Sequence, residues 1–193
     1  MREGDIMIYI VEWKASKKKH NIITRITKQP YNHTGMIIEG NEGNFYCDLS
    51  PRTILKSDYI CREIHSIKEF HEIKREEEQE VDIFRVPNFF TPQQYIKMRQ
   101  WWVEKMERGE QYSWKELTKM ARVPRLMPFY RWYYRTKGKP YKPHWDGPGD
   151  VCSTAVVNCI KKQGGFDLFP EYSECVIYPG LCALRLKENK LIL

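Results

Sequence analysis

The sequence has no uninterrupted apolar run of the roughly 18 residues that a membrane-spanning helix needs, so no transmembrane segment is expected. Its opening, Met-Arg-Glu-Gly-Asp-Ile-Met-Ile-Tyr-Ile-Val-Glu, holds too short and too interrupted an apolar stretch for a secretion signal. A cytoplasmic location on synthesis is therefore expected, with release by lysis or another export route left open. The six cysteines, at 47, 61, 152, 159, 175 and 182, include no C-x-x-C pair, which removes the commonest zinc and dithiol spacings. Free thiols are expected, because a chain of 193 residues buries a core without covalent staples. Histidines and acids also lack ligand spacing, so neither a metal nor another cofactor is expected. There is no internal repeat and no low-complexity linker, which makes one domain over 1–193 the economical organisation. Nor is there a helix-turn-helix, RNP, KH or zinc-finger pattern to go with the net charge of +7. That charge fits an acidic partner as well as it fits a soluble basic enzyme.

What is present alternates between strand and helix signals. Ile6 to Val11 reads as a mostly buried strand, and Ile22, Ile23 and Ile26 as a short helix closed by Pro30. Tyr31 to Ile38 and Phe45 to Leu49 read as two strands joined by turn-formers at 39–44. A further strand is expected within 51–64, a solvated charge run over 68–80, and a strand over 81–86 ended by Pro87. Thr91-Pro92-Gln93-Gln94 combines an N-cap threonine, a proline in first helical position and a capping-box glutamine, and Gly109 ends that helix. Ser113-Trp114-Lys115-Glu116 repeats the capping signal for a second helix that stops before Pro124. Strands around 175–178 and 183–186 close the chain.

Two stretches carry chemistry. The first is 150–160, Asp-Val-Cys-Ser-Thr-Ala-Val-Val-Asn-Cys-Ile, which comes after the turn Trp145-Asp146-Gly147-Pro148-Gly149 and has helical apolar spacing. With Asp150 as N-cap, Cys152 falls in the first helical turn, where unpaired N–H groups and the helix dipole favour a thiolate. The second is the hairpin. Folded about the Gly40-Asn41 bond, it pairs residues whose numbers sum to 81, which sets His33 opposite Asp48. A register two residues away keeps them diagonal on the same face, whereas an odd shift separates them. A histidine supported by a carboxylate is the base that a cysteine nucleophile needs.

The order of these parts resembles the permuted branch of the NlpC-type papain-fold cysteine hydrolases, which includes the YiiX-like enzymes and the lecithin–retinol acyltransferase group. There the histidine strand (here His33-Thr34-Gly35) precedes the cysteine helix (here Cys152-Ser153). Phe84-Arg85-Val86, the helix from Pro92, Gly109-x-x-Tyr112-Ser113-Trp114 and Tyr178-Pro179-Gly180 also look like pieces of that pattern. The family more often shows aspartate where Ser113 stands and glutamate where Asp48 stands, and 115–147 has no match in it. The resemblance implies a circularly permuted papain-like α+β fold, an antiparallel sheet or small barrel packed on the cysteine helix. It implies Cys152 as nucleophile, His33 as general base and later acid, and Asp48 as the orienting residue. From the residues themselves, the Cys152 N–H at a helix start is the first oxyanion donor, with Tyr9, Tyr31 or Asn32 as sources of a second, and His144, just before the cysteine turn, is a candidate cleft residue. The implied reaction is hydrolysis, or transfer, at an amide or ester through an acyl-thioester. A peptide or cell-wall peptide is the first substrate expectation and a lipid acyl group the second.

Three rivals stand against this. Residues 125–145 alternate Arg and Lys with Tyr and Trp, a composition that tracks phosphates and stacks bases, so nucleic-acid binding is the main alternative. A binding module on an inactive scaffold would need one of the three site residues lost, and all three are present. A metal-dependent enzyme would need ligand spacing that the chain lacks.

Overall fold

A computed structural model describes residues 6–15, 22–27, 29–50, 59–113, 129, 132, 136, 150–170 and 177–193. Among the described residues six antiparallel strands form one sheet in the order β4-β3-β2-β1-β5-β6. They are β1 (Met7–Lys14), β2 (Tyr31–Gly40), β3 (Gly43–Leu49), β4 (Tyr59–Ile64), β5 (Val81–Arg85) and β6 (Lys190–Leu191). Among the described residues the helices are α1 (Ile22–Thr27), α2 (Ile67–Glu76), α3 (Pro92–Glu107), α4 (Cys152–Lys162) and α5 (Leu181–Arg185), with a 3-10 turn at Lys187–Asn189.

The central strands are apolar in unbroken runs because both faces of the sheet are covered. Ile8, Ile10, Met36, Ile38, Cys47 and Leu49 face α3 and α4, and with Tyr95, Met98, Trp102 and most of α4 they form the larger core. The alternate residues Tyr9, Val11, Ile37, Tyr46 and Ile83 pack with Ile67 and Phe70 of α2 in a smaller one. So the charge run contains a real helix. Ile67, Phe70 and Lys74 mark its buried stripe, and the other charges are solvated. Helix α3 starts as its cap predicts: the Thr91 hydroxyl accepts from Gln94 N–H at 3.3 Å, and Thr91 N–H donates to Gln94 Oε1 at 2.8 Å. It ends before Gly109, which holds φ 64°.

Two expectations change. The β2–β3 register sums to 83, not 81, with Gly40 paired to Gly43 around Asn41-Glu42. Gly43 closes this turn at φ 123°, a conformation open to glycine. The expected strand at 183–186 lies instead within and beside α5, which starts after Gly180 at φ 89°. The tail adds β6, pairing Ile83 with Leu191. Of the expected second helix from the Ser113 cap to Pro124 only Ser113 is described; 175 and 176 of the strand expected at 175–178 also lie outside the described residues, and Ile177 and Tyr178 are not strand; nearly all of 125–145 lies outside them too, where Phe129 and Trp132 are exposed with rings 6.0 Å apart. Among the described residues no helix is long and apolar enough to cross a membrane.

Candidate active site

Because the register shift is even, His33 and Asp48 keep to one face of the hairpin as diagonal neighbours: Asp48 pairs with Gly35, two residues from His33. The imidazole Nε2 lies 3.5 Å from Asp48 Oδ2, an ion-pair contact too long for a strong hydrogen bond. Ser50 Oγ stands 3.3 Å from the same nitrogen and donates to Asp48 Oδ1 at 3.2 Å. The Tyr46 hydroxyl donates to Asp48 Oδ2 at 2.7 Å and accepts from the Trp13 indole N–H at 3.2 Å. Gly35 makes room for this chain: a β-carbon there would lie 2.7 Å from the Tyr46 hydroxyl oxygen.

Cys152 opens α4 and is 1% exposed. Asp150 is not the helix cap. The cap position is Val151, whose N–H donates to the Thr154 hydroxyl at 2.8 Å. Asp150 is held one residue earlier, accepting from the Tyr59 hydroxyl at 2.9 Å and the Asn158 amide at 2.8 Å, with Lys105 Nζ at 3.7 Å. Cys152 nevertheless takes the first helical position, where its N–H has no intrahelical acceptor. Its sulfur lies near enough to the His33 ring to act on it electrostatically. Burial alone would disfavour a charged imidazole, but the Cys152 sulfur and the Asp48 carboxylate outweigh it, and the His33 pKa is pushed up to about 10. Burial likewise opposes the Asp48 charge, yet His33, Tyr46 and Ser50 hold its carboxyl below the usual range.

Two further residues at this site escape sequence reasoning. Tyr112, buried after α3, lies near the Cys152 sulfur; burial first and then that sulfur raise its phenol well above the ordinary value. The neighbouring Ser113 N–H donates to Asp150 O at 2.9 Å, which fastens this loop to the start of α4. Glu12 is fully buried on β1; its Oε2 accepts from the Thr34 hydroxyl at 3.0 Å and from Gly180 N–H at 3.1 Å. Burial pushes its carboxyl up to about 8, against the pull of Thr34, Gly180 and the His33 charge. Tyr112 stands in a recognisable motif that attaches no role to it. Glu12 has no local signal beyond an acid ending an apolar run.

The remaining sequence candidates are placed differently. Tyr9 pairs with Ile37, four residues along β1 from the Trp13–His33 pair, about 13 Å away. Its hydroxyl donates to Glu39 at 2.8 Å, so it is not a donor at Cys152. Tyr31 lies two residues from His33, but its hydroxyl is engaged by Asp82 at 2.6 Å. Asn32 adjoins His33 on β2 and is partly exposed. His144 lies outside the described residues. Among the described residues no group of three or more His, Cys, Asp and Glu is placed to hold a metal ion.

No family model matches the chain, and no curated protein matches it. Among solved structures it is similar to the type VI secretion system effector TseH, with a TM-score of 0.48 and 13% identity over 98% of this chain and 91% of that one.

Proposed function

We propose that the chain is a cysteine-dependent hydrolase of permuted papain-like architecture. The observation that carries this is one imidazole whose charge both a helix-opening sulfur and a buried carboxylate support, the carboxylate from the same hairpin and the sulfur from a helix far later in the sequence. With Asp48 and Ser50 at Nε2, Nδ1 is the ring nitrogen left to face the sulfur. Cys152, as thiolate beside the imidazolium, attacks a carbonyl carbon. The C–N or C–O bond breaks while His33 protonates the leaving group. Water then adds to the thioester, gives its proton to His33, and expels the thiolate. The Cys152 N–H is the first donor to the oxyanion, and the Tyr112 hydroxyl, beside the sulfur, is a side-chain donor for it among the described residues.

The bond attacked is an amide in a peptide or cell-wall peptide; a lipid acyl ester would use the same steps. Alkylation with iodoacetamide at neutral pH tests the machinery before any substrate is known. Cys152 labelling is expected to slow by about 10²–10⁴-fold in His33→Ala, while the half-exposed Cys61 labels at an unchanged rate. Equal labelling of Cys152 with and without the imidazole refutes the proposal.

A further inference from the structure

The five described cysteines are free, and two of them form a sulfur pair apart from the candidate site. Cys47 on β3 and Cys61 on β4 are direct partners in the antiparallel register, and their sulfurs lie 3.2 Å apart. Directly opposed residues in such a ladder have Cα atoms about 4.5–5.5 Å apart, inside the range that disulfides bridge. Joining them needs side-chain rotation, not movement of the strands.

The two thiols are also unlike. Cys61 is half-exposed; a hydrogen bond with Cys47 lowers its pKa against the effect of burial, and the Arg99 guanidinium helps. Cys47 is fully buried, and burial together with the neighbouring Cys61 raises its thiol well above the ordinary value. An accessible, acidic thiol beside a buried partner is the arrangement of an attacking and a resolving cysteine.

We propose that Cys47 and Cys61 are a redox-modification site that closes to a reversible intramolecular disulfide. With hydrogen peroxide as oxidant, the Cys61 thiolate attacks one oxygen, the O–O bond breaks, and hydroxide leaves a sulfenic acid. The Cys47 sulfur then gives up its proton and displaces the sulfenic oxygen, which departs as water. Two thiols are oxidised by two electrons and the peroxide is reduced to water. A dithiol reductant reverses the change by exchange. The bridge ties β4 to the strand that carries Asp48, and closes the loop that begins with Asp48 and Ser50, the residues against His33 Nε2.

The test uses the native full chain, treated with hydrogen peroxide, blocked with an alkylating agent and mapped as peptides without reduction. The expected result is a Cys47 peptide linked to a Cys61 peptide, lighter by two hydrogens than the separate thiols, lost on adding dithiothreitol and accompanied by a rise in Tm that reduction cancels. Cys61→Ser, at a half-exposed position, is expected to leave Cys47 unmodified. Cys47→Ser is expected to stop Cys61 at the sulfenic acid, trapped with dimedone. The proposal is overturned if native protein under peroxide links Cys152 to Cys182 instead, leaves residues 47 and 61 as thiols, or forms the 47–61 link only in urea.

Discussion

Asp48 keeps its charge against burial because three side chains converge on it: His33, the Tyr46 hydroxyl and the Ser50 hydroxyl. Its folded pKa lies below 3.8, so the stability it contributes is present above that value and is lost as pH falls through the folded one. His33 behaves oppositely: its contribution is complete below 6.5 and disappears as pH rises through about 10. Asp48→Asn keeps the shape and the acceptor oxygen but removes the charge. The imidazolium then loses one of its two supports, and its pKa is expected to fall by about 1–3 units. Measured as Cys152 alkylation against pH, the upper turn of the profile moves toward neutrality by that amount. An unmoved profile means that Asp48 supports the fold and not the ring.

At the scale of elements, legibility in the sequence tracked locality. Helix α3 was marked by its own capping box and its closing glycine, and the cysteine helix by the glycine-proline turn before it. The hairpin pairing was legible to within two residues, because alternation fixes the face even where the turn leaves the register open. What failed was set by distant partners. Helix α5 has five residues, and the carboxylate that accepts Gly180 N–H at its start comes from Glu12, 168 residues earlier; nothing near Leu181 announces it. Asp150 looked like a local cap, yet its carboxylate is claimed by Tyr59 of β4 and Asn158 of α4. That claim makes a prediction about the element. Asp150→Ala removes the carboxylate to which the Tyr59 hydroxyl and the Asn158 amide donate, and a loss of about 1–3 kcal/mol in urea-denaturation stability is expected. Because Val151 and Thr154 still hold the helix start, far-ultraviolet circular dichroism of the folded variant should be unchanged.

For the molecule as a whole, Glu12 joins the first strand to the last helix through a single carboxyl group: Oε2 takes the hydrogen bonds of Thr34 and Gly180, and Oε1 is buried with no hydrogen-bond partner among the described residues. Burial favours the neutral acid, so the folded chain keeps this proton up to about pH 8 while the unfolded chain releases it near 4.5. Below the lower value both states are protonated, and Glu12 adds no pH dependence. Between the two, the folded state holds the extra proton, and its stability falls with rising pH by at most about 1.4 kcal/mol per unit from this group. Above the higher value both states are ionised, the slope vanishes, and the folded state carries a buried anion. Glu12→Gln retains an oxygen for Thr34 and Gly180 but cannot ionise. Urea midpoints at pH 5, 7 and 9 are expected to separate progressively, with the variant gaining on the wild type as pH rises. Glu12→Ala, which strands both donors, should be destabilised at all three. Parallel curves for wild type and Glu12→Gln would mean that the carboxylate is already ionised in the folded chain, and that the His33 charge outweighs its burial.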